Sequence, residues 1–445
     1  MAVVEKTSPP RIQGEPILGN ARQMGIFTIP WFIETYKKVG PIFRISALNQ
    51  HYTVMIGVEA NNILKNHGAE HFTNATFFEL FNTEMRAEYT IVSLDGEEHQ
   101  AMRRQLRPVF ARSALNGQIQ PLFDMAVSTF QSVKPGDVFP VVDTMQRLVT
   151  RQLGQALMGR DAGDYFEDLR LYLRRIIEVA VTKSRPKIAL KGPRYQRAKA
   201  RAFELGERLL AAYDADSDNA IHLDAALAMT DPYGEPLSHE ERVSLILFPF
   251  FAGMDTVANT SSFMLYALAR HPAVYQRVRD EVDATFGRGE MPGIRELGQL
   301  HALHGTAMET LRMWPIGGTT RRTVTTPFEF EGCYVEAGTN VLIANAATHF
   351  LPEFFPDPYT FDIDRYQKPR SEHRQTPGAY APFTLGPHTC LGACVAEIQL
   401  GLILAAAVHT VGLELTPADY DINWELGAIP GAPADFKLRV TEHRS

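Results

Sequence analysis

Cysteine is scarce: three in 445 residues, Cys333, Cys390 and Cys394. So small and odd a number argues against a disulfide-stapled secreted scaffold and for a reducing compartment, and it leaves room for one thiol with a chemical role. Long apolar runs are also missing. The longest, near Leu245–Gly253 and Leu400–Val408, fall far short of the roughly 20 residues that span a bilayer. Met1–Asn20 carries charges and prolines where a signal peptide needs an apolar core. A soluble, cytoplasmic protein with no transmembrane anchor is the expectation. Positive charge is not in excess either. The 44 Lys and Arg face 51 Asp and Glu, a net charge of −7, so no nucleic-acid partner is expected. Repeats and low-complexity blocks are absent. With 45% hydrophobic and 21% charged residues, the chain is neither disordered nor collagen-like.

Length alone would suggest about three domains at roughly 150 residues each. The residue pattern points instead to one fold over 1–445, mainly α with smaller β-sheets (α+β). β-rich patches fall near 42–56, 322–341 and 424–440, and the helical bulk covers 97–313 and 391–408. Within the first patch, Ile42–Ile45 and Tyr52–Ile56 read as a hairpin. One helix stands out. Ser238 with Glu241 is a capping-box signal, and His271–Pro272 is a stop. The span between them, at 1.5 Å per residue, is about 48 Å. Inside it, Pro249 lacks an N–H and crowds the Leu245 carbonyl, and Ala252–Gly253–Met254–Asp255–Thr256 forms a small, polar patch. A break here is expected, opening a groove for a ligand.

The most informative segment is Phe383–Thr384–Leu385–Gly386–Pro387–His388–Thr389–Cys390–Leu391–Gly392. Cys390 sits where an irregular loop gives way to a helix, whose free N–H groups and positive dipole end favour a thiolate. Gly386 permits a tight turn, and Gly392 removes a side chain where a flat ligand would press. A thiolate so placed can ligate an iron porphyrin axially.

Phe383, Gly386, Cys390 and Gly392 resemble the heme-binding loop of the cytochrome P450 family. Further matches follow the family's order. Ala252–Thr256 resembles its oxygen-activation motif, Glu309–Thr310–Leu311–Arg312 its Glu-x-x-Arg motif, and Phe361–Tyr366 the segment that follows. His99–Gln100–Ala101–Met102–Arg103 resembles a His-xxx-Arg pattern of soluble bacterial members. The resemblance covers essentially the whole chain.

It implies heme b, iron protoporphyrin IX, lying between the long central helix and the C-terminal cysteine-bearing helix. Cys390 would be the axial ligand. Phe383, Gly386, Gly392, Ala252 and Gly253 would line the heme, and Asp255 and Thr256 would supply protons. His99, Arg103, Arg322 and His388 are candidates for the heme propionates, with Arg321 competing with Arg322. Glu309, Arg312 and Arg365 would form a structural triad bracing the heme loop. Phe77, Phe81, Ile91, Phe248, Phe251, Ile316, Gly317, Gly318, Ala428 and Ile429 are the substrate-pocket candidates. Cys394 and Cys333 read as packing residues.

The resemblance also implies dioxygen, an external ferredoxin or flavodoxin electron donor, and hydroxylation of an apolar small molecule such as a terpenoid, steroid or fatty acid. Oxidative coupling, desaturation or epoxidation on the same fold is the alternative; a heme sensor is a third. Two basic stretches lack acids. His99–Arg112, with Arg103, Arg104, Arg107 and Arg112, would dock an acidic donor. Lys183–Arg201 reads as a solvated helix face, with an anionic substrate or membrane surface as the other possibility. The chain departs from the family pattern at Thr384, where glycine is common, at Pro249, at His349–Pro352, which lacks an Arg-Asp pair, and in the proline-rich lead-in Pro9–Asn20.

Overall fold

The computed structural model describes residues 8–26, 28–47, 50–213, 221–286, 291–423, 425–426 and 429–444. The chain divides into two compact units, Met1–Thr76 with Leu311–Cys390, and Phe77–Thr310 with Leu391–Ser445.

The first unit is built on a five-stranded sheet in the order Ile42–Ala47, Gln50–Met55, Asn340–Ile343, Thr320–Val324 and Phe72–Thr73. The expected hairpin is present, antiparallel, with Ile42 opposite Met55. Asn340–Ile343 lies parallel to Gln50–Met55 and antiparallel to Thr320–Val324, with Arg322 opposite Val341. Phe32, Phe43, Val54 and Leu342 fill one core cluster, and Met55, Leu64, Val341 and Ile343 another. Helices Thr28–Val39 and Val58–His71 were not anticipated in a region read mainly for its strands. Val58–His71 is polar and buries only Ala60, Asn61, Leu64 and Gly68, a stripe spaced by three or four.

The second unit is helical around His239–Arg270, a helix of 32 residues. Helices Val141–Met158, Pro193–Ala211 and Ala393–Thr410 pack on it. A three-stranded sheet, Val138–Pro140, Lys437–His443 and Val411–Leu415 in that order, and the pair Glu425–Leu426 with Pro430–Gly431 complete the unit. The capping box is formed: Ser238 Oγ accepts from the Glu241 N–H, and Glu241 Oε2 accepts from the Ser238 N–H at 2.9 Å.

The expected break at Pro249 does not interrupt the helix, which runs on through residue 270. The reason lies in a partner from outside it. Proline cannot donate to the Leu245 carbonyl. His222, on the helix Ile221–Ala228, donates its Nε2–H to that carbonyl at 2.9 Å. His222 is buried, and burial lowers its pKa to about 4, so it is neutral at pH 7. Beyond the patch at 252–256 the helix binds its own polar side chains. Thr260, Ser261 and Ser262 donate to the carbonyls of Thr256, Val257 and Ala258.

Replacing His222 with Leu leaves the Leu245 carbonyl buried without a donor and is expected to cost about 1–3 kcal/mol. Pro249→Ala restores a backbone donor, so it should recover much of that loss in the double variant. Urea unfolding of the four proteins measures the coupling; strictly additive losses would contradict the pairing.

Candidate active site

In the first unit the cysteine loop is a closed turn. The Cys390 N–H donates to the Phe383 carbonyl at 3.0 Å, and the Thr389 N–H to the Gly386 carbonyl at 3.1 Å. Gly386 has φ +77°, and a Cβ there would collide with the Leu64 carbonyl, so only glycine fits. Cys390 is exposed, and the residues on either side of it, 382–389 and 391–394, are half-buried. A Cβ at Gly392 would meet nothing within 4 Å. An exposed thiol on a loop closed in this way fits the axial ligation of an iron porphyrin.

Thr384 adopts φ +56°, the left-handed conformation that explains why glycine is common at this position. Hydrogen bonds offset the strain. Thr384 Oγ1 and Thr320 Oγ1 are 2.9 Å apart, and Thr320 Oγ1 donates to Asn345 Oδ1 at 2.9 Å. A hydroxyl has one hydrogen, so Thr320 accepts from Thr384. The Asn345 amide then donates to the Gly317 and Ala381 carbonyls, both at 3.0 Å. Asn61 ties the same region together, donating to the carbonyls of Asn345 and Gly378. Neither asparagine was singled out in the sequence. The available signal was a lone Asn345 inside the apolar run Val341–Ala347.

Arg312 and Arg365 are fully buried and both donate to the Thr360 carbonyl, at 3.4 and 3.3 Å. Arg312 also donates to the His349 carbonyl at 2.7 Å. His349 is held neutral, its Nδ1–H donating to the Arg312 carbonyl and its Nε2 accepting the Ala381 N–H. Burial, reinforced by the Arg312 charge, lowers its pKa to about 3. Arg365 pairs with Glu372 at 2.9 Å, a carboxylate the sequence did not reveal. Glu309, three residues before Arg312 on the helix His301–Met313, is fully buried. Arg322 is buried at 8% exposure and Arg321 half-buried, so strand alternation separates the two candidates. His388 is half-buried. Ile316 is half-buried and Gly317 exposed, but Gly318 is buried against Ile29 and so offers no open lining.

In the second unit the middle of the long helix is open: Ala252 is exposed and Gly253, Asp255 and Thr256 half-buried, whereas residues 257–268 are buried. Thr256 Oγ1 donates to the Ala252 carbonyl at 2.8 Å, which leaves its oxygen able to accept. Asp255 Oδ1 accepts from Gln146 Nε2 at 2.7 Å. Burial raises the Asp255 pKa, opposed by the Gln146 hydrogen bond and by Arg174 and Arg170. Gln146, on Val141–Met158, gave no sequence signal because its partner lies 109 residues away. His99 is buried and Arg103 half-buried on Gly96–Leu106.

The pocket candidates of this unit separate. Ile91 and Phe248 line a cavity of about 20 Å³ with Met102, Leu106, Ser244 and Leu245, room for about one water. Phe81 is fully buried, its ring 4.6 Å from that of the half-buried Phe251, and Phe77 is buried; neither lines this cavity. Ile429 is half-buried; Ala428 lies outside the described residues.

The family profile of cytochrome P450 matches residues 9–425. The chain belongs to the cytochrome P450 family. It is 28% identical to cytochrome P450 136 of Mycobacterium tuberculosis over 94% of this chain and 85% of that one. It is also 28% identical to cyclooctat-9-en-7-ol 5-monooxygenase of Streptomyces melanosporofaciens, over 76% of this chain and 72% of that protein. Among solved structures, the cytochrome P450DA heme domain superposes with a TM-score of 0.85 at 21% identity, covering 99% of this chain and 98% of that one. Cyanobacterial CYP120A1 with retinoic acid bound gives 0.84 at 21% identity, covering 99% and 100%. The fold is therefore the cytochrome P450 fold, mainly α with small β-sheets. The protein is a monooxygenase whose cofactor is heme with cysteine-ligated iron, and its reaction depends on dioxygen and a redox partner.

Both basic stretches fall in the second unit. Arg112 pairs with Glu397 at 2.8 Å, while Arg104 and Arg107 are exposed. In Lys183–Arg201, Arg185 pairs with Glu178, Lys199 with Glu84, and Arg201 with Glu204, so part of that stretch is structural.

Thr384→Val keeps the shape but removes the hydroxyl that offsets the left-handed backbone. It is expected to cost about 1–2 kcal/mol and to hasten heme loss. Thr384→Gly, free of the strain, should fare better than Val. Heme-loss rates and urea midpoints test this; a Val variant equal to the parent would contradict it.

Proposed function

We propose that this monooxygenase inserts one oxygen atom of dioxygen into an apolar small molecule, with Cys390 as the axial thiolate and Asp255 with Thr256 as the proton-handling pair. The observation that carries the reading is the exposed Cys390 thiol on a loop closed by its own hydrogen bonds ahead of a helix. Heme, when bound, supplies the activation of dioxygen. The balance is one substrate C–H, one dioxygen, two electrons and two protons, giving one alcohol and one water.

The chain's own residues then have definite tasks. The start of Ala393–Thr410 favours the thiolate form of Cys390. The buried Arg312 and Arg365 brace the segments around the loop. Arg322, His388, His99 and Arg103 are the donors assigned to the propionates. The Thr256 oxygen, with its own proton on the Ala252 carbonyl, can accept a hydrogen bond from a water in the open middle of the helix. Burial raises the Asp255 pKa, which favours its holding a proton, and the Gln146 amide fixes its carboxylate.

The profile match over residues 9–425 favours one heme domain rather than three. Ferredoxin or flavodoxin is the donor class proposed, approaching the exposed Arg104 and Arg107. The terpenoid alcohol in the Streptomyces relative's name favours a terpenoid-like substrate, and a cytoplasmic location accords with the cysteine usage.

Thr256→Ala should retain heme and substrate binding while diverting reducing equivalents to hydrogen peroxide. Asp255→Asn should slow turnover roughly a hundredfold or more, in the range of general acid–base contributions. Product formed per NAD(P)H consumed, with peroxide measured in parallel, is the test; unchanged coupling in Thr256→Ala would remove that residue from the reading.

A further inference from the structure

We propose that His67, Glu70 and His71 form a binding site for one borderline transition-metal ion of the zinc class, on the helix that supports the cysteine loop. The three residues occupy the last turns of Val58–His71 at spacings of three and four, so they share a helix face. One ligating atom of each lies within 4.8 Å of the others, and His67 Nδ1 is 3.4 Å from Glu70 Oε2. Three ligands around a tetrahedral zinc stand about 3.3 Å apart at bond lengths near 2.0–2.1 Å. Small side-chain rotations close the difference, and His67 and Glu70 are exposed and free to make them.

His71 is the fixed member. Its Nδ1 lies 3.1 Å from the Thr326 carbonyl, which can only accept, so Nδ1 carries the hydrogen and Nε2 keeps the lone pair a metal needs. Its ring packs 4.9 Å from that of Phe328. The turn that holds it is itself held, since the Thr325 N–H donates to the His71 carbonyl at 2.8 Å. A histidine oriented through its second nitrogen by a backbone carbonyl is the arrangement that metal-binding histidines use. Two imidazoles and one carboxylate suit zinc, nickel or copper and disfavour magnesium or calcium, which take oxygen ligands. Water would complete the shell.

The location gives the site a consequence. Gly68, between two ligands, faces Pro387 of the cysteine loop, where a Cβ would stand 3.3 Å from the Pro387 ring, and the Leu64 carbonyl bears on Gly386. A metal bridging the last turns stiffens the helix on which the loop rests.

Titration of Zn²⁺ into untagged, heme-loaded protein by calorimetry tests the proposal, with His67→Ala and His71→Ala in parallel. The expected result is one Zn²⁺ per chain, binding weakened at least tenfold by either substitution, and no Mg²⁺ binding. Zinc should also raise the thermal midpoint of the parent and not of His67→Ala, whose exposed position spares the fold. Absence of saturable Zn²⁺ binding, binding unaltered in His67→Ala, or equal binding of Mg²⁺ would overturn it.

Discussion

A thiol must be held facing outward at the start of a helix, and much of the first unit serves that demand. The loop that carries Cys390 bends at two left-handed positions, Thr384 and Gly386. It is closed by the hydrogen bond from the Cys390 N–H to the Phe383 carbonyl. Such a turn has little intrinsic stability, so its surroundings must fix it. Asn345 and Asn61 grip the backbone on its approach, Thr320 accepts from Thr384, and Leu64 leaves space only for a glycine at 386. Buried charge is the costly part of the support. Arg312 and Arg365 are tolerated because backbone carbonyls and Glu372 take up their hydrogens.

The second unit solves a different problem, that of keeping a long helix intact while exposing its middle. Pro249 removes one backbone hydrogen bond, and His222 replaces it from a neighbouring helix. Three residues later Ala252 is exposed, with Asp255 and Thr256 half-buried beyond it, while Gly253 lets the helix approach Leu153 closely. Asn259 then fastens the helix to the C-terminal strand pair, donating to the Asp255 carbonyl and accepting the Ala432 N–H. A Cβ at Gly431 would collide with that asparagine. The polar side chains Gln146, His222 and Asn259 thus hold the helix and Asp255 in place without belonging to any recognisable motif.

How much of this could be read from the sequence follows from the range of each interaction. The long helix was legible from Ser238 to Arg270, because capping and stop signals are local. The hairpin at residues 42–55 was legible for the same reason. The cysteine loop was legible because its chemistry demands glycines and a thiol at close spacing. What escaped was long-range. Gln146, Asn61 and Asn345 act on residues that the chain brings near only by folding. The break expected at Pro249 failed on the same ground, since the compensating donor lies 23 residues from the carbonyl it serves. The pocket aromatics were not separable by sequence: a phenylalanine looks alike whether, like Phe248, it lines a cavity or, like Phe81, is fully buried.

The central claim is that Cys390 supplies the thiolate to the heme iron, and the reduced, carbon monoxide-bound difference spectrum tests it most directly. Thiolate ligation gives a strongly red-shifted Soret band, which the parent protein should show and Cys390→Ser should lose while remaining folded. A heme-loaded, well-folded parent without that band, or a Cys390→Ser variant that keeps it, would contradict the account.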